Sequence, residues 1–295
     1  MKKILCLAIA AILALCCTIL PALADSHPLM YKVTDKDGHS IYLLGTMHVI
    51  SQETLPISHL DEVLGQVDRV VFELSEADMQ KLASGNMTDA DASQAGLTMK
   101  VEDNGLSDET VGLIAGFLSG AYGQPVDPMM LKQLALPVLG QMLQAQFMAL
   151  AGYDASGHGV DLEVFKKAKQ LNLKIEGVET MEDQMNALNA ESAGAAVTEQ
   201  QILELLNNPV QIKEQMDALV NAYNNGDKAT LIKVFSAEGA RSSADAGRNA
   251  HFLEAAEKAL KDGGHTLFAI GVYHIIAEDG LANTLTQAGY TVEAL

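Results

Sequence analysis

Residues 41–50 read IYLLGTMHVI, and residues 267–276 read LFAIGVYHII. Each is a short apolar run followed by a glycine, two further residues and a histidine, His48 in the first and His274 in the second. Such a run, bounded by a glycine, is the pattern of a strand buried on both faces. In both places a helical pattern and a second strand follow: LDEVLGQ and VVFEL after the first, LANTLTQ and TVEAL after the second. Strand, helix and strand within about thirty-five residues is the length of a βαβ unit. The repetition predicts an α/β fold, with a central mixed, mostly parallel sheet built from two Gly-x-x-His strand-helix-strand repeats about a pseudo-twofold axis. Gly45 and Gly271 read as structural turns, since a residue without Cβ lets the chain swing sharply off its strand.

Outward from these runs, MYKVT and HSIYLLG flank Asp35-Lys36-Asp37-Gly38 and predict a β-hairpin. VDLEVFKKAKQLNLKIEGVE reads as a helix with Leu162, Phe165 and Ala168 on one face, then a strand from Leu173 to Val178. Residues 77–157 differ in texture, rich in Ala, Met, Gly and Gln, and read as a helical insertion whose methionines fill a core. Lys132, Gln133, Gln141 and Gln144 interrupt its longest apolar run and Pro137 would bend it, which argues against a membrane span. A second helical insertion covers about 181–247, and a short amphipathic helix, RNAHFLEAAEKAL, precedes the last strand-helix-strand unit.

The first 24 residues have the layout of a secretory signal peptide: Lys2 and Lys3, an apolar run, then Ala22-Leu23-Ala24 ahead of Asp25. The expectation is a periplasmic or secreted protein with no retained transmembrane helix, in which residues 25–295 form a single domain. Cys6, Cys16 and Cys17 all fall in the leader, so neither disulfides nor thiolate metal sites enter the mature protein's mechanism. The formal net charge is −19, and −21 once Lys2 and Lys3 are gone, which makes nucleic acid an unsuitable partner. With no tryptophan and few aromatic residues, a carbohydrate-stacking surface is also unexpected.

Four predicted strands carry chemistry at their carboxyl ends: His48 after IYLLG, Glu73 closing RVVFE, Glu179 after KIEGV, and His274 after LFAIG. Ligands of open α/β sheets bind outside those ends, so the four are expected around one crevice. Two histidines and a carboxylate suit a divalent transition metal such as Mn, Co, Zn or Fe, which would activate a bound water. No H-E-x-x-H helix is present, so this is not the ordinary zinc-protease arrangement. The remaining histidines, His27, His39, His59, His158, His251 and His265, read as surface residues.

YLLGTMHVI, VVFEL, GVDLEVFKKAKQLNLKIEGVETMEDQ, the Arg248-Asn249 pair and FAIGVYHIIAEDGLANTLTQAGYTVE together resemble the TraB/GumN family, which also contains the animal Tiki proteases. The likeness extends to a wider superfamily with erythromycin-esterase-like and haem-binding ChaN-like members. It implies a metal-dependent hydrolase acting on peptides or other small hydrolysable substrates. It also implies metal ligands His48, Glu73 and His274, with Glu73, Arg248 and Asn249 in catalysis and Asp161, Glu179 and Gln184 supporting them. Where the family usually has a glycine, this chain has Ala277, which is expected to alter the loop slightly.

Each residue has a plainer reading beside this one. Glu73 is either a ligand or a general base on the bound water; Arg248 either stabilises an oxyanion or forms a salt bridge. Asn249 would equally serve as an N-cap for the helix that follows it. Asp161 and Glu179 either orient the histidines or cap helices. Two other functions use the same residues: a periplasmic haem- or metal-binding protein without turnover, and a metal-free esterase with His48 as general base.

Overall fold

The computed structural model describes residues 29–51, 54–84, 100–153, 159–184, 198–237 and 243–295. The leader with its cysteines, His27 and His158 lie outside these residues. The strands are β1 (Met30–Thr34), β2 (Ser40–Thr46), β3 (Arg69–Leu74), β4 (Lys174–Glu179), β5 (Thr266–Gly271) and β6 (Thr291–Ala294). They form one six-stranded sheet in the order β4-β3-β5-β2-β1-β6. The pairs β3–β4, β3–β5 and β2–β5 are parallel, whereas β1 runs antiparallel to both β2 and β6.

Burial on both faces explains the unbroken apolar runs of the central strands. Leu43, Leu44, Val70, Leu267, Phe268, Ala269 and Ile270 are all essentially inaccessible. The predicted hairpin is present, β1 meeting β2 through a turn in which Gly38 has φ +89° and Asp35 Oδ1 accepts from the backbone N–H of Asp37 and His39.

Strand order locates the crevice. From β2 the chain runs through α1 (Leu60–Leu64) to β3, passing over β5. From β5 it runs through α11 (Val272–Ile276) and α12 (Leu281–Gln287) in the opposite direction to β6, passing over β2 and β1. The two connections therefore leave these adjacent strands in opposite directions, each crossing the β2–β5 seam, and this reversal makes it a topological switch point, where α/β sheets bind ligands. A twofold along that seam would set β6 directly against β2. Strand β1 occupies that place, so the repeat survives while its symmetry is broken by the N-terminal hairpin.

Gly271 joins β5 directly to α11 as the helix's N-cap, so the chain does turn off its strand there, whereas Gly45 is not a turn. Gly45 lies within β2, where a Cβ would stand 2.7 Å from Val272 Cγ2. Gly271 closes β5 with φ −48°, and its Cβ would stand 3.0 Å from Glu73 Oε1 and 3.4 Å from His274 Cδ2. Both leave room for a neighbour, and neither uses a backbone conformation that needs glycine.

The first insertion holds α2 (Glu76–Ser84), α3 (Asp108–Tyr122), α4 (Pro128–Lys132) and α5 (Leu136–Leu150). Pro137 does not bend a long helix; it lies in the first turn of α5, where a missing N–H costs nothing. The second insertion holds α7 (Glu199–Asn207), α8 (Pro209–Asn224) and α9 (Lys228–Ala237). Ile202 of α7 joins Leu118, Leu131, Leu139, Leu143 and Phe147 in a second apolar core, so the insertions share one helical layer. Core filling does not hold for every methionine, since Met129 and Met130 of α4 are 63% and 52% exposed. Among the described residues no helix is long and apolar enough to cross a membrane.

Candidate functional site at the carboxyl edge of the sheet

The four strand-end residues belong to four adjacent parallel strands, in spatial order Glu179, Glu73, His274 and His48 along β4, β3, β5 and β2. Leu74 is in register with Glu179, and Thr46 with Gly271, so the strands finish nearly level. A single helix, α10 (Ser243–Lys261), serves three of the four positions. This helix begins before Arg248, so Asn249 is an interior residue and not its N-cap.

Arg248 of α10 donates from Nε to Glu179 Oε1 at 2.7 Å, and from Nη2 to Glu179 Oε2 at 2.9 Å and Glu73 Oε2 at 3.0 Å. Its guanidinium is thus committed to an ion-paired, hydrogen-bonded cluster in which the Glu179 side chain is only 2% exposed. Glu179 meets Arg248, and no histidine. Glu73 also accepts from the Gly271 backbone N–H at 2.7 Å and from Gln184 Nε2 at 2.7 Å. Three donors on two oxygens fix the orientation of this carboxylate and leave about one of its four lone-pair positions.

One residue further along α10, Asn249 is buried, and its Oδ1 lies 2.7 Å from His274 Nδ1. The amide's Nδ2 donates to the Asp279 carbonyl at 3.3 Å, which fixes which end of the amide faces the histidine. His274 Nδ1 therefore carries the proton and Nε2 the lone pair of the neutral ring. Phe252, one turn on, meets the imidazole edge to face at 5.2 Å. His274 lies in the short helix α11, buried, whereas His48 lies in irregular chain with its side chain 77% exposed. Ala277 ends α11 at φ −59°, a conformation any residue adopts, so the missing glycine is accommodated without strain.

His48 Nδ1 is 3.3 Å from Oδ1 of Asp161, in the first turn of α6 (Val160–Gln170). This hydrogen bond is the largest cause raising the His48 pKa to about 9, with the charges of Asp161 and Glu73 adding to it against desolvation. The Val160 N–H donates to the Met47 carbonyl at 2.9 Å, which binds the start of α6 to the chain that carries His48.

Two contributors were not legible in advance. A Cβ on Gly159 would stand 2.7 Å from His48 Cα and 2.8 Å from the Met47 carbonyl oxygen, so only glycine lets α6 come this close. The signal for it was its place in the Gly-x-Asp element. Tyr223 of α8, fully buried, donates its hydroxyl to the Gly45 carbonyl at 2.6 Å and anchors the second insertion to β2. It stands in the Asn-rich stretch NAYNNGD, and no local pattern marks it.

Below His48 is a cavity of about 40 Å³. It is lined by the apolar residues Phe72, Leu74, Met79 and Ala269 and by the polar residues Thr46, His48, Glu73, Asp161 and Gln184. Among the described residues no three His, Cys, Asp or Glu side chains converge as a ready-made metal cage. The donor chemistry nonetheless fits a transition metal, because each strand-end histidine has Nδ1 held by a side chain, as metal-ligating histidines do. His39, His59, His251 and His265 are exposed or half-buried.

A protein of Treponema pallidum (strain Nichols), itself described as uncharacterized, is 23% identical over 290 residues, 93% of this chain and 82% of its own length. No solved structure matches the chain. The profile of the TraB/PrgY/gumN family matches residues 29–294, nearly the whole length, from the first strand of the hairpin to the last strand of the sheet; the chain belongs to that family.

Proposed function

We propose that the protein is an exported hydrolase that holds a divalent transition metal (Mn, Co, Zn or Fe) through His48, His274 and Glu73 and cleaves peptide bonds. The observation that carries this reading is the matched support of the two histidines. Asp161 holds Nδ1 of His48 and Asn249 holds Nδ1 of His274, at the ends of the two strands that flank the switch point. When bound, such an ion supplies Lewis-acid polarisation and a nucleophile at neutral pH.

The chain's own residues do the rest. His274 presents Nε2 in a fixed tautomer because Asn249 accepts from Nδ1. Glu73, oriented by Gly271, Gln184 and Arg248, adds its negative charge to the causes that raise the His48 pKa. Arg248, paired with Glu179 and Glu73, acts in this reading by positioning Glu73 and not by contacting substrate. The leader read at residues 1–24 supports export, and the likeness to the Tiki proteases supports a peptide as substrate.

The alternatives fit less well. A general base works best with a pKa near the operating pH, and the Asp161 hydrogen bond raises His48 to about 9. Ligand sites of drug or cofactor size run to about 300–1,000 Å³, whereas the cavity at His48 has about 40 Å³. The deciding experiment is elemental analysis of the purified protein beside its His48→Ala and His274→Ala variants, with cleavage of a peptide library followed by mass spectrometry. Loss of the metal and of cleavage in both folded variants is expected. Unchanged metal content or full activity in either would overturn the reading.

A further inference from the structure

We infer that the cavity at His48 is a subsite for one small side chain of the substrate, and that Met79 sets its depth; this rests on the hydrolase reading above. Four of its nine lining residues are apolar and closely packed: Phe72, Leu74, Met79 and Ala269 are all 3% exposed or less.

Size follows from volume. One water-sized group needs about 10–15 Å³ measured in this way, so about 40 Å³ holds roughly three heavy atoms. That admits alanine to valine and rejects leucine, methionine and phenylalanine.

Of the apolar lining residues, Phe72, Leu74 and Ala269 belong to the central strands and cannot change without disturbing the sheet. Met79 comes from α2, outside the sheet, and its unbranched side chain fills space that a shorter residue would open. Nothing in its spacing distinguished it from an ordinary core methionine; its place against the site cavity does.

The test uses the full mature chain, loaded with Mn²⁺ or Co²⁺, and its Met79→Ala variant. Cleavage of a peptide library should show alanine, serine or valine at one position beside the broken bond. Met79→Ala should extend this to leucine and methionine by about tenfold or more, the discrimination that a methylene or two supplies in an apolar pocket. Identical preferences in the two proteins would overturn the subsite while leaving the hydrolase reading intact.

Binding separates the two ideas in the other direction. In protein labelled at the methionine methyl groups, the signal missing from the Met79→Ala spectrum identifies Met79. N-acetylalanine methylamide should shift it and N-acetylleucine methylamide should not. That selectivity without any cleavage would remove the hydrolase and keep the subsite, whereas equal shifts or none would refute the subsite.

Discussion

His274 donates from Nδ1 to Asn249 Oδ1 across 2.7 Å, inside the protein and against the ring of Phe252. The bond selects the tautomer with its lone pair on Nε2, so Asn249 acts on the chemistry through the histidine. Asn249→Ala leaves a buried N–H without its acceptor, which costs about 1–3 kcal/mol. If His274 is a ligand, metal affinity should fall by about 10–100-fold as well. Urea denaturation and Co²⁺ titration read the two effects separately. Asn249→Asp, which keeps an acceptor at the same place, should recover most of the affinity; equal Co²⁺ binding in all three proteins would reduce Asn249 to a packing residue.

Arg248 is the hinge of the acidic side of the site. Arg248→Met strands the Glu179 carboxylate, only 2% exposed, without its counter-charge. Removing one partner of a buried ion pair costs about 3–5 kcal/mol, so a large drop in the urea midpoint is expected. A second change, Glu179→Gln, should return part of that loss because it removes the unpaired charge. Arg248→Lys should fall between, since a single ammonium cannot copy the two-pronged contact with Glu179.

The space at Gly45 is taken by a residue from the far end of the chain. In Gly45→Ala the new methyl would meet Val272 Cγ2 at 2.7 Å, and overpacking of this kind costs about 1–3 kcal/mol. Because the clash is chiefly with a side chain, Val272→Ala in the same protein should relieve part of it. The double variant should therefore be less destabilised than the sum of the two single ones. Additive losses in thermal unfolding would show that the contact is not what requires glycine.

The strands were legible because burial on both faces leaves a physical trace in sequence: apolar runs such as RVVFEL, whose limits match β3 residue for residue. The strand ends then brought His48, Glu73, Glu179 and His274 to one edge, as the rule for α/β sheets requires. What could not be read were pairings that depend on distant chain. The insertion of β5 between β2 and β3 is one; the task of Gly45, set by Val272, is another. Arg248 and Tyr223 show the same limit, since a charge or a phenol carries no local sign of its partner, here Glu179 and the Gly45 carbonyl. The turn reading failed at Gly45 for this reason: its neighbour decides its role.

The His48–Asp161 pair makes both stability and metal binding depend on pH, with signs that can be worked out. Asp161 raises the folded pKa of His48 to about 9, above an unfolded value of about 6.5. Between these values the folded protein holds the proton more tightly, so the pair's contribution is full below about pH 6.5 and disappears as pH rises through about 9. With the ring 77% exposed, water screens the interaction, and the expected slope is shallow. It should appear as a difference between chelator-treated wild type and Asp161→Asn, whose stabilities converge toward high pH. A metal must displace the same proton, so affinity should climb with pH up to about 9. Calorimetric titration of Co²⁺ at pH 7 in two buffers of unlike ionisation heat should record release of about one proton from His48 in the wild type, and less in Asp161→Asn. The same release from both proteins would mean that Asp161 does not govern the histidine.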